Sequence, residues 1–377
     1  FFWRVGVVVY PHMQTSRIMF RNRLLGGIYK KGIKQVFFIF DTESVHNHVV
    51  QVGERLGKTS IGKKLTRSFF YYENSMLEQA IDGVMYKNPI GLAAGFDKDA
   101  RLIQILPHVG FGFEEVGSVT AKACDGNPQP RLWRIPEKKA LRVYYGLKNK
   151  GAEFIAHSLT NKNFDIPIGI SIAKTNCRET LDTQKGIDDY LQSYKFFEHI
   201  GEYITINISC PNTFGGEPFT KPQKLKRLLA ALQTLRYDKP IYLKISPDLS
   251  LNTLDEIVEL VQQYDIQGFV ASNLTKKHQY GNGGLSGKPV QEISLRQVEY
   301  IYKRTAGLKT IIGCGGVFCA RDAYKKIRAG ASLVQLITGM IYEGPQLISS
   351  INAGLVELLQ RDGFTHISEA VGVDVKM

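Results

Sequence analysis

Eight short apolar runs, alternating with helical stretches, constrain this chain more than any other feature. They fall at 90–94, 113–116, 166–173, 203–208, 241–245, 268–271, 310–312 and 333–336, with helical patterns such as 254–264 and 323–329 between them. Strands that alternate with helices are parallel strands joined by crossovers. Eight such units predict an α/β fold, a (β/α)8 TIM barrel, whose chemistry sits at the carboxyl ends of the strands. Polar residues fall at those ends. Lys98 follows GLAAGFD, Ser118 follows EEVG, Lys174 follows GISIA, Asn207 and Cys210 follow the fourth run, Lys244 lies in YLKISPD and Asn273 follows VAS. Each alone reads equally well as a solvated loop residue, but together on one rim they predict a site.

The stretch 207–213, NISCPNT, is the centre of that rim. Pro211 has no N–H to give a sheet ladder and so ends the preceding strand. Asn207, Asn212 and the thiol of Cys210 then offer two amides and a group able to take a proton, which suits a flat polar ligand. Cys210 also fits the ordinary role of a buried small hydrophobe. Glycines suggest a ligand type: Gly313-Cys314-Gly315-Gly316, Thr338-Gly339 and the run 283–287 follow late strands, where barrels bind phosphate through backbone N–H groups.

Composition narrows the partners. A net charge of +13 favours acidic ones: anionic substrates, a phosphorylated cofactor or anionic lipid. Nucleic acid is disfavoured, because the lysines are dispersed and no nucleic-acid-binding motif accompanies them. The five cysteines include no CxxC pair, so neither a metal site nor an iron–sulfur partner is expected. No apolar run approaches the roughly 20 residues that a spanning helix needs.

The chain divides into an uncertain leader or upstream segment at 1–18, with Met19 as a candidate start, a helical region at 19–80 and the barrel at 81–377. Residues 27–40 mix lysines with Val36, Phe37, Phe38, Ile39 and Phe40, a combination suited either to a membrane surface or to packing on the barrel. Asp41 is placed to cap a helix with Val45, Val49, Val52 and Leu56 on one face and Gly57 at its end. A second helix carries Ile61, Leu65, Phe69 and Tyr72. Two helices this short cannot stabilise each other, so they dock on the barrel or face lipid. His46 and His48, two apart, point away from each other and do not form a metal pair.

With these residues assembled, the chain resembles the dihydroorotate dehydrogenase family, flavin mononucleotide (FMN) enzymes of pyrimidine synthesis. The likeness rests on NPIGLAAGFDKD (88–99), GFGFEEVGSVT (110–120), GNPQPRLWRIPE (126–137), NISCPNT (207–213), GGLSGKP (283–289) and GASLVQL (330–336). The segment 40–57 resembles the helical extension of the membrane-associated, quinone-using class.

The resemblance implies an FMN held by Ala94, Gly95, Lys98, Ser118, Ser171, Asn207, Lys244, Ser272, Gly287, Gly316, Ile337 and Thr338. It implies dihydroorotate bound by Lys98, Gly146, Leu147, Asn207, Asn212 and Asn273, with Cys210 as base and Lys98 beside flavin and substrate. A lysine-rich rim is expected to lower the thiol pKa from about 8.5. Phe37, His46 and Arg134 are implied to line a quinone tunnel, and peripheral attachment to the cytoplasmic face of the cell inner membrane, or else the mitochondrial inner membrane, follows. Departures accompany the likeness. Cysteine at the base position marks the soluble class, so fumarate or NAD is the alternative acceptor. Val143, Leu274 and Ser171 replace polar residues of the family, with Lys148 or Tyr144 as candidate compensators; these losses also allow a barrel that binds a phosphorylated ligand without turnover. The stretch 214–218, FGGEP, reads as a glycine-hinged lid or as a static loop.

Overall fold

The computed structural model describes residues 11–235 and 238–376. Four helices come first: α1 (Pro11–Ile28), α2 (Lys34–Ile39), α3 (Thr42–Gly57) and α4 (Ser60–Phe70), with a π-helical turn at Tyr29–Ile33 joining the first two. Met19 falls inside α1, and most of the expected leader, residues 1–10, lies outside the described residues. A hairpin follows, β1 (Gln79–Ile81) and β2 (Val84–Tyr86), and then β3 (Ile90–Leu92), β4 (Phe113–Val119), β5 (Leu132–Ile135), β6 (Ala140–Val143), β7 (Ile168–Ile172) and β8 (Tyr203–Asn207). The last strands are β9 (Ile241–Ile245), β10 (Gly268–Ala271), β11 (Gly284–Gly287), β12 (Thr310–Cys314) and β13 (Leu333–Leu336).

Eight of these close into a parallel barrel in the order β3, β4, β7, β8, β9, β10, β12, β13. They are the eight runs expected from the sequence. β5, β6 and β11 form a separate antiparallel sheet, β11–β6–β5, over the barrel mouth.

Strand alternation builds the interior in layers. At the floor, Phe113, Tyr203 and Tyr242 stack edge to face, and Tyr86 of the hairpin plugs them from below. Gly91 and Gly169 make room, since a Cβ at either would collide with the rings of Phe113 and Tyr203. Two residues further along each strand the layer turns polar. Glu115 accepts from Thr205 Oγ1 at 2.9 Å and Gln335 Nε2 at 2.9 Å, and pairs with Lys244 Nζ at 3.4 Å. A second step of two brings Asn207 to the mouth. The opposite strand faces, Val116, Ile170, Ile204 and Ile206 among them, bury against the surrounding helices.

The appendage follows a different rule. α3 starts at Asp41, whose carboxylate caps Ser44 N at 2.8 Å as expected. The face it docks is not the expected Val45, Val49, Val52, Leu56 stripe, of which Val52 and Leu56 stay exposed. Instead Glu43, His46, Val50, Gly53 and Gly57 meet the barrel, spaced by three or four residues along one side of the helix. Glycine lets the backbone approach: a Cβ on Gly53 would sit 2.6 Å from Leu102 Cδ2. On α4, Ile61, Leu65 and Phe69 are exposed while Tyr72, just beyond the helix, is buried. α1 is anchored through Asn22 Nδ2, which donates to Ser349 Oγ at 2.9 Å.

Candidate active site

The strand ends converge on one cavity. Lys98, Asn207, Cys210, Asn212 and Asn273 all line it, with Gly146, Leu147, Ala94, Gly95, Ser118, Ile337 and Thr338. An adjoining cavity shares Ala94, Asn273, Ile337 and Thr338 and adds Lys244, Ser272, Gly287 and Gly316. The cysteine is therefore a wall residue of a cavity rather than a packed hydrophobe.

Its amide neighbours are fixed before any ligand arrives. Asn207 Nδ2 donates to Ser118 Oγ at 2.8 Å, and its Oδ1 accepts from Ser209 N at 3.1 Å. Asn273 Nδ2 donates to Ser209 O at 2.9 Å, and Asn212 Nδ2 to Val143 O at 2.9 Å. The substituted position Val143 thus still serves Asn212, through its backbone. Leu274 and Val143 place apolar side chains in the same wall. Ser171 does not reach the cavity; its hydroxyl lies 2.8 Å from Ser118 Oγ and acts through it. Lys174 is also withdrawn, donating to Phe214 O at 3.1 Å and so tethering the glycine loop 214–218.

Electrostatics correct one expectation. Burial pushes the Cys210 thiol up to about 11, and Lys174, Lys276 and the Asn212 backbone N–H only partly oppose it. Desolvation outweighs the attraction of those two lysines. Lys98 moves the other way: burial, assisted by the charge of Lys148, lowers it to about 8. The Lys98 ammonium sits 3.2 Å from His46 Nε2 and 4.0 Å from the centre of the Tyr145 ring.

Tyr145 and Glu43 are site residues that sequence reasoning missed. Tyr144, the proposed compensator, is absent from the cavity wall, whereas Leu141, Val143 and Tyr145 all face it. The period of two was the available signal. Lys148, the other candidate, reaches the wall but is drawn toward Glu43 Oε1 at 3.3 Å. Buried Glu43 also binds Arg131 through Nε and Nη2 at 3.0 and 2.9 Å, which holds its carboxyl at about 2 despite desolvation.

From the cavity an apolar seam runs outward along Leu132, Leu141 and Ile341. Leu132, Leu141 and partly buried Ile341 belong to a cluster with Tyr342 and Phe38. Phe38, rather than the expected Phe37, packs here, 5.5 Å from Tyr342 and beneath the Arg134 guanidinium at 4.7 Å. Arg134 Nη1 donates to Phe40 O at 2.9 Å, while its Nε is buried without a partner among the described residues.

A closed barrel with a lysine, three amides and a thiol around one mouth, beside a glycine-lined cavity, is the architecture of a (β/α)8 barrel enzyme with a polar small-molecule site. Its family is equally plain. The family model described as dihydroorotate dehydrogenase matches residues 76–359, and the chain belongs to that family. The chain is 39% identical to a dihydroorotate dehydrogenase (quinone) of Crocosphaera subtropica over 88% of its own length and 94% of the relative's. It is 37% identical to one of Nostoc punctiforme, over 93% and 99%. A crystal structure of DHODH from Eimeria tenella in complex with ferulenol superposes with a TM-score of 0.80 at 28% identity, covering 89% of this chain and 96% of that one.

Proposed function

We propose that this protein oxidises (S)-dihydroorotate to orotate in de novo pyrimidine biosynthesis, with FMN as cofactor and a membrane quinone as final acceptor. The observation that carries the reading is the convergence of Lys98, Cys210, Asn207, Asn212 and Asn273 on one cavity.

The residues present fit the flavin. Ser272 Oγ is buried with no partner among the described residues, in the wall of a cavity whose other side is Gly287 and Gly316. An unpaired buried hydroxyl and glycine backbone lining the same cavity suit a phosphorylated ligand. Ala94, Ser118, Lys244, Ser272, Gly287, Gly316 and Thr338 would hold FMN, which supplies a hydride acceptor when bound. The three asparagines orient the substrate's amide and carboxylate edges. Cys210 Sγ takes the proton from the carbon beside the ring carbonyl; because the resting thiol is protonated near neutrality, the reactive thiolate is a minor form. Lys98 contributes positive charge where the substrate gives up electrons.

The apolar seam to Phe38 and the unpaired Arg134 Nε suit a quinone with an apolar body and carbonyl oxygens. Phe20, Leu24, Ile28 and Ile39 of the first helices, Phe40 just after them, and Ile61, Leu65 and Phe69 are exposed. No helix among the described residues is long and apolar enough to cross a membrane. Peripheral attachment at the cytoplasmic face of the cell inner membrane fits both facts. Relatives named for quinone, together with this appendage, favour quinone over fumarate or NAD despite the cysteine base. A binding barrel without turnover is disfavoured by the joint placement of Lys98 and Cys210. Anaerobic dihydroorotate is expected to bleach the yellow holoenzyme, and a quinone to restore its colour faster than fumarate or NAD; absence of bleaching would overturn the reading.

A further inference from the structure

We propose that His46, carried into the barrel mouth by helix α3, is a positioning residue for the substrate-oxidising step: its imidazole Nε2 accepts a hydrogen bond from Lys98 Nζ and fixes that ammonium in the cavity wall. The inference rests on the functional reading above and gives the appendage a part in the first half-reaction, not only in delivery of electrons to the acceptor.

Geometry carries it. Lysine presents a point charge on a flexible four-carbon stem, so its position must be imposed from outside. Here two neighbours impose it: His46 Nε2 at 3.2 Å and the Tyr145 ring face at 4.0 Å from centroid to Nζ. The ammonium has three N–H donors, so at least one remains for a ligand. His46 is itself held, edge-on to Phe96 at 4.9 Å and tilted against Tyr145 at 6.4 Å. It reaches the cavity because Glu43, three residues earlier on the same face of α3, is locked to Arg131 and Lys148. Glu54, further along the helix, pairs with Arg101 Nη2 at 2.6 Å.

The imidazole is in the right form to accept. Burial and then the charges of Lys98, Lys148 and Arg101 hold it well below its ordinary pKa, so it is neutral near pH 7. With Nε2 accepting, Nδ1 carries the proton. A doubly protonated ring would face the Lys98 ammonium with an N–H and repel it.

The test compares two substitutions in the holoenzyme and in flavin-free protein. His46→Phe keeps a ring for Phe96 and Tyr145 to pack on but removes the acceptor; His46→Gln keeps an acceptor. In anaerobic stopped flow, His46→Phe is expected to slow flavin reduction by dihydroorotate about tenfold or more, the scale of a lost hydrogen bond to a charged group. His46→Gln is expected to stay within about threefold of wild type by the same reasoning. Flavin-free protein supplies a readout apart from turnover: acylation of Lys98 by an amine-reactive reagent at fixed pH, mapped by mass spectrometry with Lys148 as internal reference. Loss of the acceptor favours the free amine, so labelling of Lys98 relative to Lys148 rises in His46→Phe and not in His46→Gln. The proposal falls if His46→Phe leaves both flavin reduction and Lys98 labelling within about twofold of wild type, even where quinone reoxidation slows, since His46 would then serve the acceptor route alone. A wild-type holoenzyme that dihydroorotate does not bleach would instead refute the functional reading, and the labelling arm would still decide the contact.

Discussion

The barrel mouth and the helical appendage solve opposite problems. At the mouth, polar groups are gathered on an apolar and aromatic base and nearly every amide is already hydrogen-bonded, as with Asn207 to Ser118 and Asn273 to Ser209. In the appendage many apolar groups point outward, and beside the few that dock, Val50 and Tyr72 among them, polar groups make much of the joint: Glu43 to Arg131, Glu54 to Arg101, His46 to Lys98. Burial thus fixes the site in the barrel, whereas ion pairs and a hydrogen bond add to a smaller apolar contact in holding the appendage over it. The difference teaches that the apolar stripe of a short helix need not be its docking face when another surface can cover that stripe.

The largest expected effect tests whether the chemistry belongs to the mouth alone. Cys210→Ala removes the proposed base while its amide neighbours keep their partners, so flavin reduction should fall by about 10²- to 10⁴-fold. Rapid anaerobic mixing measures this, with orotate binding little changed. Fast reduction in the variant would move the base elsewhere.

Next comes the joint. Arg131→Ala leaves Glu43 buried with only Lys148 and Gln129 as partners. Breaking a buried pair costs about 3–5 kcal/mol, and the surviving contacts place this case near 3. Limited proteolysis within 41–57 should accelerate while the barrel core stays protected. Uniform loss of protection would mean that appendage and barrel unfold as one unit.

The two regions were also unequally legible in the sequence. All eight barrel strands could be read, because short apolar runs separated by helices leave few alternatives, and the rim residues followed from the strand ends. The docking face of α3 could not be read. Glu43 and His46 are ordinary surface residue types on a helix, and their partners Arg131 and Lys98 are 88 and 52 residues away. Tyr145 was readable but passed over for Tyr144, although alternation from Leu141 and Val143 points to it. The raised Cys210 pKa was out of reach for a different reason: rim charge can be counted in a sequence, while desolvation depends on closure of the cavity.

That closure gives a pH signature confined to the mouth. On the proposed mechanism the productive form needs Cys210 deprotonated, which burial delays to about 11, and Lys98 protonated, which burial limits to about 8. Because the base has the higher value, the productive form is always a minor one. Its population rises about tenfold per unit as pH climbs to about 8, and is level until about 11. Flavin reduction in wild type should show this climb from pH 6 to 8, and Cys210→Ala should not. A rate that is flat over that range would show that ligand binding has already inverted the two groups.

The smallest effect on the fold belongs to the exposed stripe of α4. Ile61, Leu65 and Phe69 are 80%, 54% and 44% exposed, so replacing all three by serine removes little buried area. Each should change the stability of the protein by no more than about 0.5 kcal/mol. Cosedimentation with anionic vesicles should fall sharply, because membrane affinity scales with the apolar area inserted. Flavin reduction by dihydroorotate should be untouched, whereas reoxidation by a quinone dissolved in the vesicles should slow. The same variants assayed with a water-soluble quinone separate access from chemistry: a rate restored to wild type places the defect at the membrane. If the triple substitution instead lowers the melting temperature by several degrees, the stripe is packed in solution and the contrast between the two regions fails.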